Sequence, residues 1–349
     1  MAGAGFWQRL LGRGGDAGDT QPSTQPQSLL QDARGEGLER YELGAELGRG
    51  AMAVVHLAVE KASGRQVAIK RLALQREFAA EDLIDVRRRF MREARAAGHL
   101  EHPDILRVLD AGQAGADAWI AMEYAPGQDL SHFTRTGALL PVREALSLGA
   151  RLARALAHAH AQGVVHRDIK PSNVMLQRVG DGSADSLKIM DFGIARIADG
   201  SRTRTGLVLG TPSFMSPEQL AGLQVDGRSD LYSLGVMLYQ LLTGHLPHQS
   251  ESMATLMYQI ANQAPPDVRH YRPALPEALA LVLALALEKR PELRYANGEQ
   301  MAQDLDAVLA LLPRQDLALP GQDFTTADPF ARTERLDPLE PGQNPPDPL

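Results

Sequence analysis

The chain has 349 residues, 44% of them hydrophobic and 23% charged, a balance that suits a soluble globular protein with a sizeable core. Its formal charge of -7 argues against a general nucleic-acid binder, and the absence of cysteine excludes disulfides, thiolate zinc sites and cysteine nucleophiles. The longest apolar run, Ala278 to Leu287, is about half of what spans a bilayer, so it reads as a buried helix and no transmembrane segment is expected.

Residues 1 to about 38 are rich in Gly, Gln, Ser and Thr, lack periodicity and read as a flexible leader. Phe6 to Leu11 is too short for a signal peptide. Strands are expected at Tyr41–Leu47, Val54–Glu60 and Gln66–Leu72, separated by glycine turns at Gly48-Arg49-Gly50 and Ser63-Gly64. A charged helix follows from about Ala80 to Leu100, with Leu83, Val86, Phe90 and Ala94 on one apolar face. Two further strands are expected at Ile105–Ala111 and Ala118–Glu123. Beyond Pro126 the pattern turns helical, over Pro141–Gln162, Asp230–Thr243, Met253–Asn262 and Pro276–Glu288. The last 37 residues hold eight prolines and seven acidic groups against three arginines, too little apolar surface to offset ordering entropy, so 313–349 reads as a disordered tail. The folded part is therefore 39–312, an α+β architecture with a small strand-rich lobe, to about 124, followed by a larger helical lobe.

Gly48-Arg49-Gly50-Ala51-Met52-Ala53 fits G-x-G-x-x-[G/A], which alone is ambiguous. In a dinucleotide-binding unit it would open a helix, with an acid about 20 residues on. Here strand-like sequence flanks it, and Val67-Ala68-Ile69-Lys70 stands where the acid would be, so it reads as a hairpin turn whose small residues admit phosphates. No G-x-x-x-x-G-K-[ST] occurs, which excludes a Walker-type NTPase. Further on, His166-Arg167-Asp168-Ile169-Lys170-Pro171-Ser172-Asn173 and Asp191-Phe192-Gly193 gather a proton-accepting carboxylate, a cation and two metal-binding oxygens within about two dozen residues.

In order and spacing these motifs resemble the protein kinase family, in particular the bacterial serine/threonine kinases of eukaryotic (Hanks) type, across about 41 to 311. The resemblance implies a two-lobed kinase fold and an ATP-dependent transfer of the γ-phosphoryl group to serine or threonine of protein substrates. It implies an ATP site of Leu47, Gly48, Arg49, Gly50, Ala51, Met52, Ala53, Val55, Ala68, Lys70 and Glu93. At the hinge, Glu123 and Ala125 complete it through backbone groups near Tyr124, with Met122 at the back of the pocket. Lys70 would hold the α- and β-phosphates and pair with Glu93, since an inward Glu93 without it would be a costly unpaired charge. Asp168 is the implied base and Lys170 offsets charge on the transferring phosphate, a lysine that goes with serine/threonine substrates. Asn173 and Asp191 are the implied ligands of Mg²⁺, or Mn²⁺ in its place. His166 reads as a packed structural residue.

By the same resemblance Thr203 and Thr205 are autophosphorylation sites, Thr211 contacts Asp168 and Lys170, and Arg167, a cation lacking a counter-charge, receives the phosphate. Glu218 is expected to pair with buried Arg294, and Asp230 to hold the catalytic-loop backbone from a helix N-terminus. Ala53 replaces the third loop glycine, and no catalytic position is missing. A pseudokinase serving as a binding module is the alternative, but it predicts loss of Lys70, Asp168 or Asp191, all present. A small-molecule kinase fits poorly with the Gly210–Glu218 segment. Transient dimers for trans-autophosphorylation, a cytoplasmic location and a phosphothreonine-binding partner reading Thr325, Thr326 or Thr333 complete the expectations.

Overall fold

The computed structural model describes residues 37–49, 53–78, 81–114, 117–178, 186–192 and 212–313. The expectations for residues 1–36 and 314–349, for the loop tip Gly50-Ala51-Met52, and for Gly193, Thr203, Thr205 and Thr211 lie outside the described residues.

Five antiparallel strands build the first lobe: β1 (Tyr41–Arg49), β2 (Ala53–Glu60), β3 (Gln66–Leu72), β4 (Val108–Ala114) and β5 (Asp117–Glu123), in the order β1-β2-β3-β5-β4. Alternation sets their two faces. Val67 and Ile69 of β3 join Tyr41, Ala58, Trp119 and Ala121 in one buried cluster. Ala68, paired with Met122, faces the other way and packs with Leu106, Val55, Ala125 and Met190.

Two helices follow β3, α1 (Leu74–Glu77) and α2 (Leu83–Gly98). The apolar stripe of α2 is buried at Val86, Phe90, Met91, Ala94 and Ala97. The strand expected at Ile105–Ala111 lies three residues further on, and the cause is a competing partner. Residues 104–106 pair instead with Ile189, through Ile189 N–H to the Asp104 carbonyl at 2.8 Å and Leu106 N–H to the Ile189 carbonyl at 2.9 Å.

The second lobe opens with a small sheet in the order β6 (Gln128–Asp129), β7 (Val174–Gln177) and β8 (Ser186–Ile189). Strands of two to four residues are too short to show a period, so sequence patterning does not find them. The helices are α3 (Val142–Ala161), α4 (Pro217–Leu220), α5 (Gly227–Thr243), α6 (Met253–Asn262), α7 (Glu277–Ala286) and α8 (Gly298–Leu311). α5 is buried on nearly every side and forms the axis of the main core with α3, α7 and α8. At the start of α8 a Cβ on Gly298 would stand 2.1 Å from the Ala153 carbonyl oxygen, so glycine is what lets α8 lie on α3. α7 corrects an expectation. Leu279, Val282, Leu283 and Ala286 are buried, but Leu281 is 64% exposed, so the apolar run covers the core on one side only. No helix among the described residues is long and apolar enough to cross a membrane.

One ion pair ties this lobe together. Arg294, fully buried, meets Glu218 in a two-pronged contact, Nη1 to Oε1 at 2.7 Å and Nη2 to Oε2 at 2.8 Å. Its other N–H groups donate to the carbonyls of Glu288 and Lys289, and its plane lies 4.9 Å from the Tyr232 ring centroid. Burial pushes the Glu218 carboxyl up, but hydrogen bonds from Arg294 and Ser229 outweigh it and hold the group below its usual 4.5. A depressed carboxyl contributes stability above its unfolded-state value that is lost as pH falls through the folded one. Arg294→Met should cost about 3–5 kcal/mol in urea unfolding by stranding a buried carboxylate. Glu218→Gln should flatten the acid limb of the stability profile below pH 4.5.

Candidate active site

Between the lobes lies a cleft of about 300 Å³ that opens to solvent. Leu47, Gly48, Val55 and Ala68 line it from the first sheet, Met175 and Met190 from the second lobe, and Glu123 through Gly127 from the connection. Gly127 has φ +130, and a Cβ there would stand 2.4 Å from the Leu176 carbonyl oxygen. The connection thus needs glycine to turn against β7. Among the described residues no acceptor meets the Ala125 N–H, which leaves it for a ligand in the cleft.

Of the residues expected around a nucleotide, Leu47, Gly48, Val55, Ala68, Glu123 and Ala125 line this cleft together with Asp191. Arg49 instead reaches Glu46, Nε to Oε1 at 3.0 Å, and Ala53 only opens β2. Leu106, Pro126, Gly127, Met175 and Met190 also line it and were not foreseen. Their positions come from β6, β7 and the residues spent on β8, for which the sequence carries no periodic signal.

Lys70 departs from expectation. Its ion pair runs to Asp191, Nζ to Oδ2 at 2.7 Å, whereas Glu93, 12% exposed on α2, lies 3.3 Å from Arg92. Asp191 holds the ammonium, and Glu93 is engaged elsewhere. Burial pushes the Asp191 carboxyl up, but Lys70, then His166 and Lys170, outweigh it and keep it below the usual carboxylate range. Asp191 has φ +63 and Arg167 φ +69, a strained left-handed backbone that packing must enforce.

That enforcement comes from Asp230, wholly buried at the start of α5. Its Oδ2 accepts the His166 N–H at 2.8 Å and the His160 Nε2–H at 2.7 Å, and its Oδ1 accepts the Arg167 N–H at 2.7 Å. His166 is fully buried. Its Nδ1 accepts the Asp168 N–H at 3.2 Å and its Nε2–H donates to the Met190 carbonyl at 2.7 Å, so both ring nitrogens are spent on backbone. The ring also sits edge-on to Phe192, with centroids 4.6 Å apart.

Around Asp168 three functional side chains meet. Lys170 Nζ lies 2.8 Å from Asp168 Oδ2, and Asn173 Nδ2 donates to that oxygen at 2.9 Å and to the Asp168 carbonyl at 2.7 Å. With its nitrogen engaged, Asn173 keeps Oδ1 as a free acceptor. No cluster of three or more His, Asp or Glu among the described residues would hold a metal alone. An amide oxygen and one carboxylate do fit a hard divalent ion that takes its other ligands from phosphate and water. Arg167 is not without a partner, so an arriving phosphate would compete with the contacts already there.

Residues 41–305 match the protein kinase domain, and the chain belongs to the protein kinase family. Among similar proteins is the probable serine/threonine-protein kinase SCO3848 of Streptomyces coelicolor, 41% identical over 77% of this chain and 40% of its own length. Serine/threonine-protein kinase PknB of Mycobacterium leprae is 40% identical over 76% of this chain and 42% of its own, and PknB of Mycolicibacterium smegmatis matches to the same extent. The chain spans about two fifths of the length of these curated relatives.

Asp230→Asn keeps the shape of the side chain but turns one acceptor into a donor facing a backbone N–H. It should lower stability by about 1–3 kcal/mol in urea unfolding. It should also lower kcat more than it raises KM, because the strained Arg167 backbone beside Asp168 loses its anchor.

Proposed function

We propose that the chain is an ATP-dependent protein kinase that transfers the γ-phosphoryl group to serine or threonine hydroxyls of proteins. The observation that carries this reading is the meeting of Lys170 and Asn173 on Asp168, tied through the Asn173 carbonyl and the Met190 N–H to the segment whose Asp191 holds Lys70 at the cleft. The names of the bacterial relatives point the same way. A binding module without transfer has no such support, because it has no need of this constellation.

Adenine lies between Ala68 and Met175, held by the carbonyl of Glu123 and the N–H of Ala125, and Lys70 meets the phosphates. Asn173 Oδ1 and Asp191 would hold the divalent ion, Mg²⁺ or in its place Mn²⁺. When bound, such an ion neutralises charge on the phosphate oxygens. Asp168 orients the substrate hydroxyl and accepts its proton, while Lys170, 2.8 Å from it, faces the charge that develops on the phosphate. Lys170 also underlies the choice of serine and threonine over tyrosine.

Regulation belongs to the same proposal. Thr203 and Thr205 become phosphorylated, within a transient dimer, and Arg167 exchanges its present contacts for the phosphate. The catalytic unit is 39–312 and works in the cytoplasm, where ATP is supplied. Phosphorylated Thr325, Thr326 or Thr333 would recruit a phosphothreonine-binding domain.

The test is incubation with ATP and Mg²⁺, with casein as acceptor and mass-spectrometric mapping of sites. Wild type should label itself and casein on serine and threonine, EDTA should stop transfer, and Asp168→Asn should be slower by about 10²–10⁴-fold. Failure of wild type to label any protein would refute the reading.

A further inference from the structure

Two ends of the cleft are joined by a polar ring lying apart from the reacting groups. Lys188 on β8 stands three residues before Asp191, and Glu123 closes β5 at the connection between lobes. Lys188 Nζ lies 2.7 Å from Glu123 Oε1, with the side chains 19% and 32% exposed. The same oxygen accepts the Arg107 N–H at 3.0 Å, and the Glu123 N–H donates to the Arg107 carbonyl at 3.0 Å. One residue earlier, the Leu106 N–H donates to the Ile189 carbonyl at 2.9 Å. The path therefore runs from the connection to residues 106 and 107, across to β8, and back through Lys188.

We propose that Lys188 is a positioning residue for the nucleotide, acting through Glu123 to fix the spacing between the adenine-binding backbone and Asp191. This rests on the kinase reading above. A nucleotide must satisfy both ends at once, the hinge backbone with its base and the Asp191 end with its phosphates. Backbone pairing alone ties β8 to residues 104–106, and among the described residues the Lys188–Glu123 contact is what ties β8 directly to the connection. Asp191 keeps its left-handed backbone only while the segment leading to it is held. Without the ammonium, Glu123 keeps a single backbone donor on its carboxylate, and the two ends are linked only by the longer backbone route through residues 104–107, which fixes their spacing less closely. The groups around Asp168 stay as they are, so nucleotide binding weakens while the transfer step does not.

The experiment compares Lys188→Met, Lys188→Glu and the conservative Lys188→Arg in the full chain. It measures KM for ATP and kcat on casein, thermal unfolding, and direct affinity by displacement of a fluorescent ADP analogue. Lys188→Met should raise KM and weaken ADP affinity by about tenfold, the scale of one partly shielded charge-assisted contact, with kcat within about threefold. Lys188→Arg should keep most of the affinity that Lys188→Glu loses. Unchanged nucleotide affinity in Lys188→Met overturns the proposal. So does a Lys188→Arg variant as weak as Lys188→Glu, or a loss of affinity in Lys188→Met that its unfolded fraction at the assay temperature fully accounts for. The ADP readout does not depend on transfer, so a wild type that binds ADP but moves no phosphate would refute the kinase reading and leave Lys188 still decided by affinity.

Discussion

Asp230 is the constraint on which the rest of the site depends. A carboxylate with no access to water is tolerated only when its oxygens are filled, and here three N–H donors fill them. Two of those donors are consecutive backbone groups, at His166 and Arg167, of the loop that carries Asp168. The most buried helix of the protein therefore dictates where Asp168 stands, through bonds that involve no side chain of the loop. The helix supplies rigidity, and its N-terminus supplies partial positive charge that favours the anion.

From that anchor the site extends by shared partners. His166 spends one ring nitrogen on Asp168 and the other on Met190, so the loop and the residue before Asp191 move as one. Asn173 braces Asp168 from the far side, and its own carbonyl accepts the Met190 N–H at 2.8 Å. Lys70 then carries the network into the first lobe by reaching Asp191. Charge decides this last link. Lys70, foremost among the groups around Asp191, offsets the cost of its burial and holds the carboxyl below its usual range.

Much of the fold was legible because the first-lobe strands alternate or carry β-branched residues between glycine turns, and the long helices carry clear apolar stripes. β3 falls on the expected residues, and α3 and α6 agree with expectation to within a residue. The resemblance also gave the two-lobed class correctly. What was not legible depends on partners distant in sequence. Nothing in Ile105 announces a bridge to Ile189, and no local rule assigns Lys70 to Asp191 in preference to Glu93. Met175 and Met190 line the cleft because β7 and β8 are stitched beneath it, a tertiary fact that leaves no periodic trace. The apolar run of α7 misled for a related reason, since hydrophobicity without periodicity does not say which side faces water.

The bidentate contact between Glu218 and Arg294 has a consequence for how such a chain changes over generations. Either residue alone can be altered only by passing through a form with a stranded buried charge, and marginal stability leaves little room for that. Two codons separated by 76 positions are thereby bound to each other's fate. Replacement by an apolar pair of equal volume is physically acceptable, yet no single step leads there. The bridge is held in place by the height of the path out of it as much as by its own strength.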